Sequence, residues 1–158
     1  MKTRMYWLIG IVVAFGLLWL AMALFPKGEA KVGLMAGQLR PCPNTPNCVC
    51  SEDSLSAAYI APLLFDDAPE RVWQRAKLAV VSLGGTIQVQ QETYLWASFT
   101  TKWLGFVDDV ELRMDADSHL IHVRSASRVG RSDFGVNRER VEMLRSFFNS
   151  KPSDQQRL

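Results

Sequence analysis

The chain has few of the residues that build metal and redox sites. Of its 158 residues, three are cysteine and two are histidine. His119 and His122 are three positions apart, which sends them to opposite faces of a strand, so a Cys/His zinc site is not expected. The net charge is only +2 and no segment collects a run of Lys and Arg, which argues against nucleic acid as a partner. We expect neither a metal nor a cofactor.

Charge is also absent from residues 5–25, MYWLIGIVVAFGLLWLAMALF. As a helix this run would reach roughly 30 Å, the thickness of a bilayer's hydrocarbon core. Lys2 and Arg4 precede it, so the positive-inside tendency places residues 1–4 in the cytoplasm and the rest of the chain beyond the membrane. The sequence therefore predicts a transmembrane helix over 5–25. A cleaved signal peptide is the alternative, since Ala21-Met22-Ala23 has the form that a signal peptidase cuts.

All three cysteines lie in CPNTPNCVC, residues 42–50. In an oxidising compartment, nearby cysteines favour a disulfide over a zinc site. Cys42 and Cys48 bracket five residues rich in proline and asparagine, which turn the chain back on itself. Cys48 and Cys50 are too close to bridge comfortably, whereas Cys42–Cys50 stays open as an alternative.

The part of the chain after the apolar run is predicted to form one domain, residues 39–149, preceded by a glycine-containing linker (26–38) and followed by a flexible tail (150–158). Asp67 and Glu70, with Pro69 between them, have the form of a capping box before a helix that Gly84-Gly85 ends. A second amphipathic helix is predicted over 137–148.

Four runs between these helices alternate apolar and polar residues as strands do: 86–90, 94–101, 107–115 and 120–126. Ile87 and Val89, for example, are predicted to share the apolar face. The short connections favour an antiparallel meander. The predicted fold is α+β: an N-terminal transmembrane helix, then a two-layer domain in which an antiparallel sheet of about four strands carries two helices on one face.

The second face of this sheet is expected to be open and polar. The side chains predicted on it are Gln88, Gln90, Tyr94, Trp96, Ser98, Asp109, Glu111, Arg113, His122 and Arg124. Two interpretations remain: an ordinary solvated face, or a ligand platform, since Tyr94 and Trp96 are large aromatic residues for a wet surface.

Three stretches of the sequence resemble one known family. CPNTPNCVCS (42–51) is similar to its CPxxPNCVSS opening, GFVDDVELRM (105–114) to its GFxDDVxxR stretch, and RSASRVGRSDFGVNRERV (124–141) to its RSxSRxGxSDxGxNRxRI signature. On these motifs, nearly all of residues 39–149 resembles the DUF1499 family, which has no established biochemical function. The family usually has serine where this chain has Cys50, so the resemblance favours Cys42–Cys48 as the disulfide and leaves Cys50 as the odd thiol. The resemblance also implies a bacterial setting.

Polar residues concentrate between positions 108 and 138. The candidate ligand or interaction residues are Asp109, Arg113, His122, Arg124, Arg128, Asp133, Asn137 and Arg138, together with Tyr94 and Trp96. A hydrolase could use carboxylates and arginines of this kind, but no glycine-framed nucleophile is present, and Asp108 and Asp109 should point to opposite faces of their strand. The alternative is structural: Arg–Asp pairs would fix the long loop of residues 124–138 against the sheet.

These observations predict a single-pass protein of the bacterial inner membrane. Its periplasmic domain would be a non-catalytic binding or assembly module with an envelope protein or lipid as partner. The sequence also leaves an alternative open: an envelope enzyme, or a small-ligand or lipid binder, using the Asp/Arg cluster of residues 109–138. Convergence of at least three of these side chains on a solvent-reaching cavity would favour a binder or an enzyme, and mutual pairing would favour a scaffold.

Overall fold

A computed structural model of the chain describes residues 2–23, 27–101 and 105–150. The helices are α1 (Lys2–Ala23), α2 (Pro69–Ser82) and α3 (Val136–Asn149). The strands are β1 (Leu34–Met35), β2 (Gln38–Leu39), β3 (Cys48–Cys50), β4 (Leu63–Leu64), β5 (Thr86–Gln90), β6 (Tyr94–Thr100), β7 (Val107–Asp115) and β8 (Leu120–Ser127).

The main sheet has six strands and is antiparallel throughout. Its order is β3-β8-β7-β6-β5, with β4 also paired to β8, while β1 and β2 form a separate hairpin. The predicted meander of β5 to β8 is confirmed. The predicted strand number is too low because β3 and β4 are only three and two residues long and pair with β8 across a long stretch of sequence.

The hydrophobic core lies between one face of this sheet and helices α2 and α3. Leu95, Leu112 and Val123 of the sheet are fully buried against Val72 of α2 and Val141 of α3. The two-layer α+β arrangement with both helices on one face is therefore confirmed. The sequence predicts this arrangement because each helix and each strand buries one stripe of side chains, which appears as a helical or a two-residue periodicity.

Strand β5 departs from the predicted alternation. Ile87 is opposite Ala97 and packs on the main core, but Val89 is opposite Trp96 and packs with the other face of the sheet. A bulge between Ile87 and Val89 shifts the register, and the extra residue reverses the face of every side chain that follows. The prediction that Ile87 and Val89 share a face is wrong for this reason.

Much of the polar face of the sheet is covered, contrary to the expected open surface, although Gln88 of β5 is exposed. Tyr94, Asp109, Glu111 and Arg124 are all less than a tenth exposed. Residues 31–39 cross this face: the Lys31 carbonyl accepts Arg124, the Gly33 amide donates to Glu111, and Leu39 packs with Tyr94 and with Cys50 of β3. Part of the segment predicted as a linker thus lies on the sheet.

Gly28 marks how closely this segment approaches the end of β8. Its φ is +71°, and a Cβ placed there would lie 2.7 Å from Cγ1 of Val129 and 2.9 Å from the carbonyl oxygen of Arg128. Both the backbone conformation and the close contact require glycine at this position.

Helix α2 begins without the predicted capping box. Its N-cap residue is Ala68, which makes no side-chain cap, and the Asp67 carboxylate binds the Arg71 guanidinium and the Ala68 amide instead. These contacts lower the pKa of Asp67 to about 2, with the Arg71 hydrogen bond the main cause.

The predicted transmembrane helix over 5–25 is not confirmed. Across the part of the chain that the structure describes, no helix combines the length and apolar character needed to cross a bilayer. Residues 24 and 25 of that prediction, and residues 151–158 of the predicted tail, lie outside the described residues.

Candidate functional site

The loop at residues 42–48 is closed by the disulfide that the family resemblance favours. Cys42 and Cys48 are bonded, with their Cα atoms 5.7 Å apart. The side-chain amide of Asn47, within the loop, donates a hydrogen bond to the Gly130 carbonyl at 2.7 Å. The backbone carbonyl of Asn47 accepts a hydrogen bond from the Ser127 amide at 2.9 Å. The disulfide loop is thereby held against the end of β8.

Cys50 is a free thiol, and it is fully buried. Burial is the main cause that raises the pKa of Cys50 above its ordinary value. Because the thiolate is the reactive form, this cysteine is poorly placed to pair with another chain.

Glu111 is the most deeply buried charged group on the polar face. One carboxylate oxygen accepts the Gly33 amide and the Tyr94 hydroxyl, both at 2.7 Å, and the other accepts Nη1 of Arg124 at 2.9 Å. Burial, and then the negative charge of Glu111, raise the pKa of Tyr94 well above its ordinary value. The phenol therefore stays protonated and donates to the carboxylate.

Asp109 forms a second buried ion pair on the same face. Its two oxygens accept Nε and Nη2 of Arg128 at 2.9 and 2.8 Å, and Oδ1 also accepts the Trp96 indole N–H at 2.8 Å. Asp108 turns the other way and binds Arg140 at 2.6 Å. The adjacent carboxylates of Asp108 and Asp109 thus lie on opposite faces of β7, as the two-residue period of a strand predicts.

A cavity of about 470 Å³ opens between this face, the N-terminal segment and the disulfide loop. Three of the predicted candidates line it: Asp109, Arg124 and Arg128. Lys31 and Arg40 also line it, although neither belongs to a sequence pattern that indicates a site. We call this the basic cavity. Its other lining residues are Glu29, Met35, Pro41, Cys42, Pro43, Thr45, Asn47, Ala126, Ser127 and Gly130.

Asp133 and Arg138 lie elsewhere, at a second cavity of about 540 Å³. Pro43 and Thr45 line both cavities, so the disulfide loop separates them. Burial by itself would raise the pKa of Asp133, but hydrogen bonds from the Asn137 and Gly135 amides outweigh it and lower the pKa. The predicted candidates therefore do not form one site.

Asn137 is a buried structural centre. Its side-chain NH2 group lies within 3.1 Å of an Asp133 oxygen, the Ser127 hydroxyl and the Asn47 carbonyl, which share its two hydrogens. Its oxygen accepts a hydrogen bond from Nη1 of Arg140 at 2.8 Å. With all of these bonds made inside the protein, the side chain joins helix α3 to the strand layer and to the disulfide loop.

Arg113 and His122 lie in a third place, beside Glu52. Arg113 binds the Glu52 carboxylate, and Nδ1 of His122 is 3.9 Å from it and 3.3 Å from the Ser51 hydroxyl. Burial is the main cause that lowers the pKa of His122. Glu52 also accepts the Leu39 amide, so this group fastens the N-terminal segment to the sheet.

No metal centre is built from the described residues, where no three His, Cys, Asp or Glu side chains are placed to share an ion. The cations of the basic cavity suit an anionic ligand better than a metal, since arginine and lysine donate and do not coordinate.

Together these features define a two-layer α+β domain whose polar sheet face is covered by its own N-terminal segment and a disulfide-closed loop. A family model described as "protein of unknown function (DUF1499)" matches residues 38–148. The chain belongs to the DUF1499 family. No curated protein matches the sequence significantly.

Replacing Arg124 by methionine should destabilise the fold strongly, because the Glu111 carboxylate would stay buried without its cation. We expect a loss of about 3–5 kcal/mol in the free energy of unfolding. Adding Glu111→Gln, which keeps an oxygen for Gly33 and Tyr94, should recover part of this loss. Denaturant titrations of the two single variants and the double variant measure the coupling, and simple additivity would contradict the pairing.

Acid should weaken the fold through His122. The pKa of His122 is lower in the folded protein than in the unfolded chain, where it is about 6.5. As the pH falls, the unfolded chain therefore binds a proton at His122 before the folded protein does. The contribution of His122 to stability is therefore complete above pH ~6.5 and is lost as the pH falls through the folded pKa. We expect His122→Asn to flatten the fall of the melting temperature between about pH 7 and 5.

His119→Asn removes the exposed imidazole and controls for loss of one ring. An unchanged pH slope in His122→Asn would contradict this assignment.

Proposed function

We propose that this protein is a non-catalytic ligand-binding module of the bacterial envelope, with the basic cavity as its binding site. The observation that carries the proposal is the meeting of Asp109, Arg124 and Arg128 at one solvent-reaching cavity of about 470 Å³. That volume lies within the usual range of small-molecule sites. A scaffold would need these side chains paired but would have no need of the space between them.

The hydrogen bonds that the carboxylates of Asp109 and Glu111 already accept favour binding over catalysis. Both oxygens of Asp109 are engaged by Arg128, and one also by Trp96. Glu111 is fully buried beneath Arg124 and accepts three hydrogen bonds. A general base must be able to reach and take a proton, and neither group is placed to do so.

The protein is proposed to be held at the bacterial inner membrane by residues 5–25, with residues 1–4 in the cytoplasm and the domain in the periplasm. Two observations support this proposal. The run carries no charge, and large side chains along α1, including Trp7, Ile11 and Phe15, are exposed. The Cys42–Cys48 disulfide suits an oxidising compartment. The partner would then be a lipid or another component of the envelope.

Narrowing the basic cavity should weaken binding without unfolding the domain. Met35 lines the cavity and is 51% exposed, so Met35→Trp adds volume there at little cost to the core. Met143 on α3 is 47% exposed and does not line this cavity, which makes Met143→Trp the matched control.

The measurement is a thermal-shift screen of the full chain in detergent against anionic and neutral metabolites and lipid-headgroup analogues. A ligand that binds only the folded state raises the melting temperature. We expect at least one compound to raise the melting temperatures of the wild type and of Met143→Trp by the same amount. The same compound should raise the melting temperature of Met35→Trp by less. Equal shifts in all three proteins would place binding elsewhere, and no shift with any compound would contradict a small-molecule site.

A further inference from the structure

Basic side chains outnumber acidic ones on the wall of the basic cavity. Lys31, Arg40, Arg124 and Arg128 line it, against Glu29 and Asp109. Asp109 is already paired with Arg128, and Arg124 with Glu111 below the wall. Among the described residues, neither Lys31 and Arg40 nor Glu29 has an ion-pair partner, so these three side chains leave the cavity wall with one net positive charge.

Arg124 has hydrogen-bonding capacity beyond these contacts. Its side chain is only 5% exposed, and its bonds to Glu111 and to the Lys31 carbonyl both use Nη1. Its buried Nε has no acceptor among the described residues. A guanidinium carries five N–H donors, so an acceptor that reaches Arg124 could use donors that the protein leaves unbonded.

Arg75 is the other described residue with a buried Nε that lacks an acceptor. Its guanidinium lies 4.9 Å from the centre of the Phe148 ring, in the helical layer, and it does not line the basic cavity. Of these two arginines, Arg124 is therefore the one whose buried, unbonded Nε belongs to a side chain that lines a cavity.

The three arginines of the basic cavity, Arg40, Arg124 and Arg128, are held in position before any ligand arrives. Asp109 binds Arg128 through two parallel bonds, and the Val32 carbonyl accepts Nε of Arg40 at 3.1 Å. Fixed donors lose little conformational freedom on binding, which favours recognition of a compact anion.

We propose that the ligand of the basic cavity carries a phosphate monoester. This inference rests on the proposed function and names the chemistry of its ligand. A monoester near pH 7 carries about −1.5 to −2 charges and three acceptor oxygens, enough to accept hydrogen bonds from Lys31, Arg40 and Arg124 together. A carboxylate offers a single charge and two oxygens. Met35, Pro41 and Ala126 supply an apolar wall for the rest of the molecule.

The same phosphate chemistry occurs in soluble esters and in phosphatidate lipids. The probes are therefore inorganic phosphate, glycerol 3-phosphate and a short-chain phosphatidic acid, with glycerol and acetate for comparison. Binding is measured by calorimetry on the full chain in detergent at constant ionic strength. Tighter binding of glycerol 3-phosphate would indicate a soluble source, and tighter binding of phosphatidic acid a lipid source; both results support the proposal.

The test variant is Lys31→Gln combined with Arg40→Gln, which removes both unpaired cations and leaves the buried pairs intact. Its matched control is Lys77→Gln combined with Arg131→Gln, which loses the same charge at positions that do not line the cavity. We expect the test variant to bind the phosphate probes at least about tenfold more weakly, since each charge-assisted bond lost is worth roughly that factor. The control should bind as the wild type does.

Equal weakening in the test variant and the control would overturn the proposal, because binding would then reflect net charge alone. Binding of glycerol or acetate as tight as that of phosphate would overturn it as well. If no phosphate probe binds, but another compound stabilises the wild type more than Met35→Trp, the phosphate assignment is refuted. The proposed binding function would still hold in that case. Failure of every compound would refute both.

Discussion

The structure depends on the partners that surround the buried carboxylate of Glu111. A buried ion is costly unless an opposite charge and hydrogen-bond donors surround it. Arg124 supplies the charge from the neighbouring strand β8, and the Tyr94 hydroxyl and the Gly33 amide supply the donors. The Gly33 amide comes from a segment 78 residues away, so satisfying Glu111 draws the N-terminal segment across the sheet. The covered face and the wall of the basic cavity both follow from this requirement.

The regular elements could be predicted from the sequence because their signals are local. The apolar stripe of α3 and the alternation in β6 to β8 need only neighbouring residues, and the opposite orientations of Asp108 and Asp109 follow from the strand period alone. The bulge in β5 could not be predicted from local signals, because a one-residue register shift changes which residues are paired across the strands and leaves the pattern of residue types unchanged.

The covered face could not be predicted because its partners are distant in sequence. Residues 27–39 contain glycines and show no periodicity, which is also how a linker looks. Several of their contacts with the sheet are made by backbone groups, such as the Gly33 amide and the Lys31 carbonyl, which do not depend on the type of side chain. Lys31 and Arg40 were missed for the same reason. Conversely, the sequence suggests that the cluster of residues 109–138 forms one site. In the structure its members lie at two cavities on either side of the disulfide loop, and Arg113 and His122 lie outside both, beside Glu52.

Hydrogen exchange at the Gly33 amide tests the central claim most directly, namely that a bond to buried Glu111 holds the N-terminal segment on the sheet. The account predicts exchange slowed toward the rate set by unfolding of the domain, because the segment must leave the sheet before this amide meets solvent. Exchange at the rate of an unfolded peptide, with the amides of β7 and β8 still protected, would contradict it. The sheet would then be folded with its polar face open, and the basic cavity would lose its wall.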